Sequence, residues 1–317
     1  MNYKKLPTYD KLMSVVYDTL KTAWHINNIH EPSIIMWLNN FVGDALVAEG
    51  MTDRKKAEAL EKQIALFLLC NFIYYNEDEV KHLMKIMLEK YIHHHVYMNG
   101  LNEVDDEEIE KLINKTMFSS LGNQSESSSY MLYLFRQIND LSKHDFDENK
   151  KSDYVVFIDD FSITGSQATR YISKYLENHK ESQNKKIYVL LMVATEDAIK
   201  SIRAVKGVTE VLSCVIMDES SKAFSDNSII FQGYLPDLKK QAKSICQYYG
   251  NLILSKEIGA TALGFGGGEF LIGAYYNTPN NTLPIFWSEE NSWKPLFHRY
   301  NKKYSVDNKI RLGGQYV

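Results

Sequence analysis

The residues best suited to chemistry lie in the segment YVVFIDDFSITGSQATRY, residues 154–171. Two adjacent carboxylates, Asp159 and Asp160, end an apolar run, and Thr164, Gly165 and Ser166 follow after three intervening residues. Acids in that position are costly to bury unless a ligand, a metal or solvent satisfies them. Small and hydroxyl residues where a helix opens present backbone N–H groups to an anion. One short loop therefore offers two functions. Its turn can cradle a phosphate, and its carboxylates can accept hydrogen bonds from sugar hydroxyls or hold Mg²⁺. The bland rival is a strand-end turn capped by solvated acids, and the Thr-Gly-Ser sequel favours the anion loop over it.

Two further segments carry polar residues in an informative setting. FSSLGNQSESSSYMLYLFRQ, residues 118–137, reads as strand, polar loop and helix. GFGGGEFLIGAYYNTPNNTLPIFW, residues 264–287, supplies Asn277, Asn280 and Asn281, whose amides suit a base edge or a phosphate. Tyr275, Tyr276 and Trp287 add stacking faces. The Asn-Pro content also suits a plain turn. The glycines at 264 and 266–268 make no dinucleotide fingerprint, because Glu269 follows them and a strand-like run comes next, so a flexible hairpin or hinge is expected. His93-His94-His95 cannot converge on one ion from a helix, where successive side chains diverge by about 100°. Asp218, Glu219 and Lys222 read as a solvated strand end.

The 154–171 segment resembles the phosphoribosyl pyrophosphate loop of type I phosphoribosyltransferases. The match is Val155-Val156-Phe157-Ile158, then Asp159-Asp160, three residues, Thr164-Gly165, and Ser166-Gln167. That resemblance implies that Asp159 and Asp160 act at the ribose, with Mg²⁺ as cofactor, and that Ser162, Ile163, Thr164, Gly165, Ser166 and Gln167 wrap the 5-phosphate. Gln167 stands where the family has Thr or Ser. The resemblance also assigns Gly122, Asn123, Ser125 and Ser127 to a pyrophosphate loop, with Arg136 as a charge partner, and Asn277, Asn280 and Asn281 to the acceptor. The family's extra strand and long catalytic loop have no room here, because only about a dozen residues separate Leu141 from Tyr154. With residues 264–287 included, the chain looks like the divergent phosphoribosyltransferase-like proteins of bacterial conflict and defence loci, some of them retron-associated.

The elements that must position these residues follow from periodicity. Helices are expected at 10–24, 34–49, from Thr52–Asp53 onward, from Asn76 onward, and at 105–116, with no strand among them. After residue 116 strands are expected at 117–121, 154–158, 187–194 and 211–217, separated by helices at 130–141, 166–178 and 196–205. That alternation means βα units and a parallel sheet. The expected fold is α/β: an N-terminal α-helical subdomain over 1–116, then a phosphoribosyltransferase-like domain over 117–317 with a C-terminal hood and a basic tail.

Composition agrees with a globular chain. Of 317 residues, 44% are hydrophobic and 24% charged, which excludes a disordered or collagen-like chain. Residues 1–116 hold 13 Lys/Arg against 18 Asp/Glu, the remainder 23 against 22. Lys294–Arg311 holds six Lys/Arg against one Asp, interleaved with Phe297, Tyr300 and Tyr304, a pattern suited either to single-stranded nucleic acid or to a solvated surface. Three widely spaced cysteines, Cys70, Cys214 and Cys246, suit free thiols rather than a disulfide framework. No apolar run is long enough to span a bilayer, and a cytoplasmic location is expected.

The resemblance implies an enzyme of the glycosyltransferase class. It would bind phosphoribosyl pyrophosphate or a related nucleotide or sugar phosphate, and transfer ribose-phosphate to a base or nucleic acid, in antiphage defence. The alternatives are a non-catalytic nucleotide sensor or effector subunit, and a partner within a nucleoprotein or reverse-transcriptase complex.

Overall fold

The computed structural model describes residues 3–26, 29–100, 105–122, 127–147, 150–254, 261–297 and 299. In chain order the elements are α1 (Tyr9–Thr22), α2 (Glu31–Leu38), α3 (Asp44–Ala48), α4 (Arg54–Cys70), β1 (Ile73–Tyr75), α5 (Glu77–Met98), α6 (Asp106–Asn114) and β2 (Thr116–Ser120). There follow α7 (Ser127–Ile138), β3 (Tyr154–Ser162), α8 (Ser166–Asn178), β4 (Lys186–Thr195), α9 (Glu196–Arg203), β5 (Val208–Met217), α10 (Pro236–Ile253) and β6 (Ile272–Ala274). They form a mixed α/β protein with parallel sheets, as the alternation of periods after residue 116 implies.

The described residues form two compact units, 3–77 with 218–299, and 78–217. This division differs from the boundary at residue 116. A change of hydrophobic period marks where helices give way to strands, not where packing changes partner. Helix α5 belongs with the sheet, because Tyr91 lies edge-on to Phe118 and Tyr188 at 6.3 and 5.2 Å and its hydroxyl bonds Thr116 Oγ1 at 2.9 Å. Residues 218–299, expected as a hood on the sheet domain, pack with the N-terminal helices in the first unit.

That first unit buries one face of α1 and every side of the second half of α4, where Ile64–Leu69 are buried in succession. In α1 the buried Leu12, Val16 and Leu20 recur every four residues, as an amphipathic helix requires. The expected helix 34–49 is broken in two. Gly43 adopts φ +87°, and a Cβ there would lie 2.8 Å from Glu58 N. The buried Glu61 holds the break, accepting from Gly43 N at 2.8 Å, Leu46 N at 2.9 Å and the Tyr249 hydroxyl at 2.6 Å. Strand β1, absent from the sequence expectation, pairs in parallel with β6. At three residues it is too short to show a period. The string Leu283–Phe286 forms core here. The indoles of Trp37 and Trp293 both donate to the Ile285 carbonyl, at 2.7 and 2.9 Å, and Trp37 stacks on Phe286 at 5.3 Å.

The second unit holds a four-stranded parallel sheet in the order β2-β3-β4-β5. Strands β3 and β4 are apolar on both faces, as expected of a sheet covered on both sides. Phe118 is in register with Val156 and Tyr188, and it packs on Phe135 of α7 at 5.5 Å. The opposite face carries Phe157, whose ring meets Tyr171 and Tyr175 of α8 at 5.7 and 5.0 Å. The same face carries Val189 and Leu191, clustered with Ile199 and Ile202 of α9. Thus α5 and α7 cover one face, and α8 and α9 the other.

This arrangement has a topological consequence. The chain steps sideways in one direction from β2 to β5, yet its helices change face after α7. The β2–α7–β3 crossover therefore has the hand opposite to the two that follow. Right-handed crossovers are the strong norm, so this connection needs holding. A buried ion pair supplies it: Lys150 Nζ lies 2.7 Å from Asp145 Oδ1, with side chains 3% and 7% exposed. The same ammonium donates to the carbonyls of Ile113 and Thr116 at 2.9 and 2.8 Å.

Candidate functional site

At the carboxyl edge of the sheet, the connection after β2 leaves toward one face and that after β3 toward the other. Adjacent strands whose connections diverge open a crevice, where ligands of open α/β sheets bind. Ser120–Gly122, at the end of β2, and the loop after β3 lie at this edge.

Asp159 and Asp160 are 6% and 4% exposed, so the solvated-turn reading does not hold for them. Strand β3 continues through Ser162, four residues past the expected end, paired with β4 through Phe161↔Val193 and Ser162↔Ala194. Its partner on the other side stops earlier, with Ser120 opposite Ile158. Beyond that point the acids bond to their own strand. Asp160 N–H donates to Asp159 Oδ1 at 3.0 Å, and Phe161 N–H to Asp160 Oδ1 at 2.8 Å. Pleating sends successive side chains to opposite faces. Asp159 shares the α8 face with Phe157, and Asp160 the α7 face with Ile158.

The loop after β3 turns the chain into α8. Gly165 adopts φ +69° at the N-cap position of α8 and, as glycine, brings no capping side chain, while Thr164 Oγ1 accepts from Ser166 N–H at 3.4 Å. The α8 N-terminus thus presents backbone donors and a positive dipole end. A Cβ on Gly165 would lie 3.0 Å from the carbonyl oxygen of Ala198, so the loop sits directly on the first turn of α9. Thr169 closes the turn by donating from N and Oγ1 to the Gly165 carbonyl at 2.8 and 2.6 Å. Ser162 and Ile163 are buried, Thr164 is half-buried, and Ser166 and Gln167 are exposed. Sequence reasoning missed Thr195, whose Oγ1 donates to the Ile163 carbonyl at 2.6 Å and accepts from Ala198 N at 3.0 Å. Its signal was present, since Thr-Glu-Asp is a helix-start pattern.

The other sequence candidates fare differently. Gly122 ends the described part of the β2 loop, where its carbonyl accepts from Ser120 Oγ at 3.4 Å. Asn123 and Ser125 lie outside the described residues, and so does the Ser127 side chain. Arg136 is in the last turn of α7, with its guanidinium 5.9 Å from the Tyr133 ring. Nine residues of helix put its Cα about 13 Å along the axis from Ser127, which argues against a pyrophosphate contact.

Asn277, Asn280 and Asn281 belong to the first unit. Asn281 Nδ2 donates to the Phe265 carbonyl at 2.9 Å, and Phe265 N–H donates to the Asn280 carbonyl at 2.8 Å. Together they brace the glycine-rich turn, which is a packed element rather than a free hinge. Trp287, expected as a stacking face, is buried and donates to the Thr282 carbonyl at 2.8 Å, with Arg299 over its ring at 4.9 Å. Asp218 is an exposed turn cap. Hydrogen bonds from the hydroxyl and N–H of Ser220 hold its carboxyl below the usual range. His94 and His95 pack edge-on to Tyr188 and Tyr154 at 5.7 and 5.4 Å. Most of Lys294–Arg311 lies outside the described residues.

No three His, Cys, Asp or Glu side chains come together among the described residues to hold a metal. A single carboxylate still suits Mg²⁺, a hard ion that keeps several waters and takes one or two protein carboxylates beside substrate phosphates. No described helix is long and apolar enough to cross a membrane.

No curated protein and no solved structure matches the chain. A family model described as PRTase-CE matches residues 34–299, across both compact units. The parallel sheet, the buried acid pair and the helix start at Gly165 therefore lie within the region that places the chain in the PRTase-CE family of phosphoribosyltransferase-like proteins.

Proposed function

We propose that the crevice at the carboxyl edge of β2 and β3 binds phosphoribosyl pyrophosphate, or a related nucleotide or sugar phosphate, and that the protein transfers ribose-phosphate to a base or a nucleic-acid acceptor. The observation that carries this reading is the buried pair Asp159–Asp160 followed, after four intervening residues, by a helix that starts at a glycine in the left-handed region, Gly165. In it, Ser162–Gln167 receive the 5-phosphate through backbone N–H groups and the hydroxyls of Thr164 and Ser166. Asp159 and Asp160 accept hydrogen bonds from the ribose hydroxyls, and Gly122 begins a loop for the diphosphate.

Asp159 or Asp160 would hold Mg²⁺, which when bound neutralises charge on the diphosphate. The bond from C1 of the ribose to the diphosphate oxygen breaks, diphosphate leaves with the electron pair, and an acceptor nitrogen forms the new bond to C1. The protein's part is to orient the ribose and to set negative charge beside a carbon that becomes cationic. Diphosphate release from phosphoribosyl pyrophosphate with Mg²⁺, across free bases and oligonucleotides, tests the reading. Release that Asp160→Asn abolishes supports it, and no binding of any sugar phosphate removes it.

A second reading is a nucleotide sensor without transferase chemistry. It is favoured by the short α7–β3 connection, which Lys150 and Asp145 tie down and which leaves no length for a catalytic loop. Tight binding without diphosphate release selects it. A role in antiphage defence, with a nucleic-acid or reverse-transcriptase partner, rests on the resemblance of residues 117–297 to proteins of bacterial defence loci. Protection of cells against phage, lost in Asp160→Asn, tests it.

A further inference from the structure

We propose that Thr195 is a positioning residue for the phosphate loop, fixing from the next strand the direction of a backbone donor in that loop. The inference rests on the reading of residues 162–167 as a phosphate site.

Thr195 ends β4 and is 7% exposed. A threonine hydroxyl has one proton to give. Here Ala198 N–H can only donate to Oγ1, at 3.0 Å, so the proton of Oγ1 goes to the Ile163 carbonyl at 2.6 Å. One side chain thus caps α9 and grips the loop after β3. The peptide between Ile163 and Thr164 is planar and trans, with its C=O and N–H pointing opposite ways. Holding the Ile163 oxygen toward β4 turns the Thr164 N–H away from β4. Two residues later Gly165 rests against Ala198, so closely that a Cβ would be 3.0 Å from the Ala198 oxygen. The loop is therefore held at two points by the same helix start, once through Thr195 and once by contact. A phosphate site needs its donors aimed before the ligand arrives. Thr195 supplies that aim without touching the ligand.

The test is the affinity of the full-length protein for ribose 5-phosphate, by calorimetry, in Thr195→Val and Thr195→Ser. Valine keeps the shape and loses the hydroxyl, and serine keeps the hydroxyl. The expected result is at least a tenfold loss of affinity in Thr195→Val and a change of less than threefold in Thr195→Ser. Wild-type affinity in Thr195→Val would overturn the inference.

Amide hydrogen exchange of residues 164–167 provides a readout independent of the ligand. Faster exchange there in Thr195→Val, restored in Thr195→Ser, supports the inference, and unchanged exchange overturns it. A merely structural cap would lower the melting temperature without altering that exchange. Should Thr195→Val fail to fold, Thr195→Asp keeps a cap acceptor but has no proton to give. Only its exchange is then compared, since its charge alone repels phosphate. If the wild-type protein binds no sugar phosphate at all, the phosphate-site reading fails, and exchange alone decides whether Thr195 orders the loop.

Discussion

The backbone N–H of Asp160 donates to Oδ1 of Asp159 at 3.0 Å, although strand pleating sends the two side chains to opposite faces of the sheet. The acids are neighbours in sequence but not equivalent in space. One sits on the side of α8, the other on the side of α7.

Asp159→Asn and Asp160→Asn should each weaken binding of phosphoribosyl pyrophosphate. Hydrogen bonds to a charged acceptor contribute about 1.5–3 kcal/mol each, so losses of roughly 10–100-fold are expected by calorimetry. Melting temperatures should change little, because an asparagine Oδ1 can still accept from the following backbone N–H. A variant that binds as the wild type does would show that its carboxylate plays no part at the ribose.

Gly165→Ala should destabilise the protein and disturb the loop between β3 and α8 together. A non-glycine residue at φ +69° is strained, and the new methyl meets the Ala198 carbonyl. About 1–3 kcal/mol is expected, read as a lower denaturant midpoint at unchanged slope. No shift of the midpoint would mean that the turn can be rebuilt without a left-handed residue.

Removing one partner of the Lys150–Asp145 pair leaves the other charge buried and unpaired. Lys150→Met should therefore cost about 3–5 kcal/mol. The double variant Lys150→Met with Asp145→Leu should recover much of that cost, because no buried charge is left alone. Thermal melts of the three proteins check this. Equal losses in the single and double variants would show that the ammonium's bonds to Ile113 and Thr116 matter more than its pairing.

Burial pushes the thiols of Cys70 and Cys214 up to about 12. Native protein at pH 8 should thus react slowly with a disulfide reagent and yield its thiols only on unfolding. Because the folded-state values lie above that of an exposed thiol, near 8.5, the associated stability is fully present below that pH. It is lost as pH rises toward 12. Fast labelling of folded protein at pH 8 would contradict the burial of both side chains.

The local structure was legible in the sequence. An apolar run, two acids, and Thr-Gly-Ser before a helical period identify a strand, a loop and a helix start, because each rests on contacts within a few residues. The helix at 166–178 appears with the bounds expected of it, and Asp53 and Asp105 cap α4 and α6 by accepting from Lys56 N and Glu108 N.

What the sequence could not show depends on residues far apart in the chain. The role of Asn281 is settled by Phe265, and that of Trp287 by Thr282 and Arg299. The two compact units were hidden because residues 218–299 return to pack with the N-terminal helices, and a hydrophobic period does not say which surface an apolar face will meet. The same holds for the change of helix face between β2 and β3. Periodicity counts strands and helices, but only packing decides on which side of the sheet each helix lies, and that choice opens the crevice beside Asp159 and Asp160.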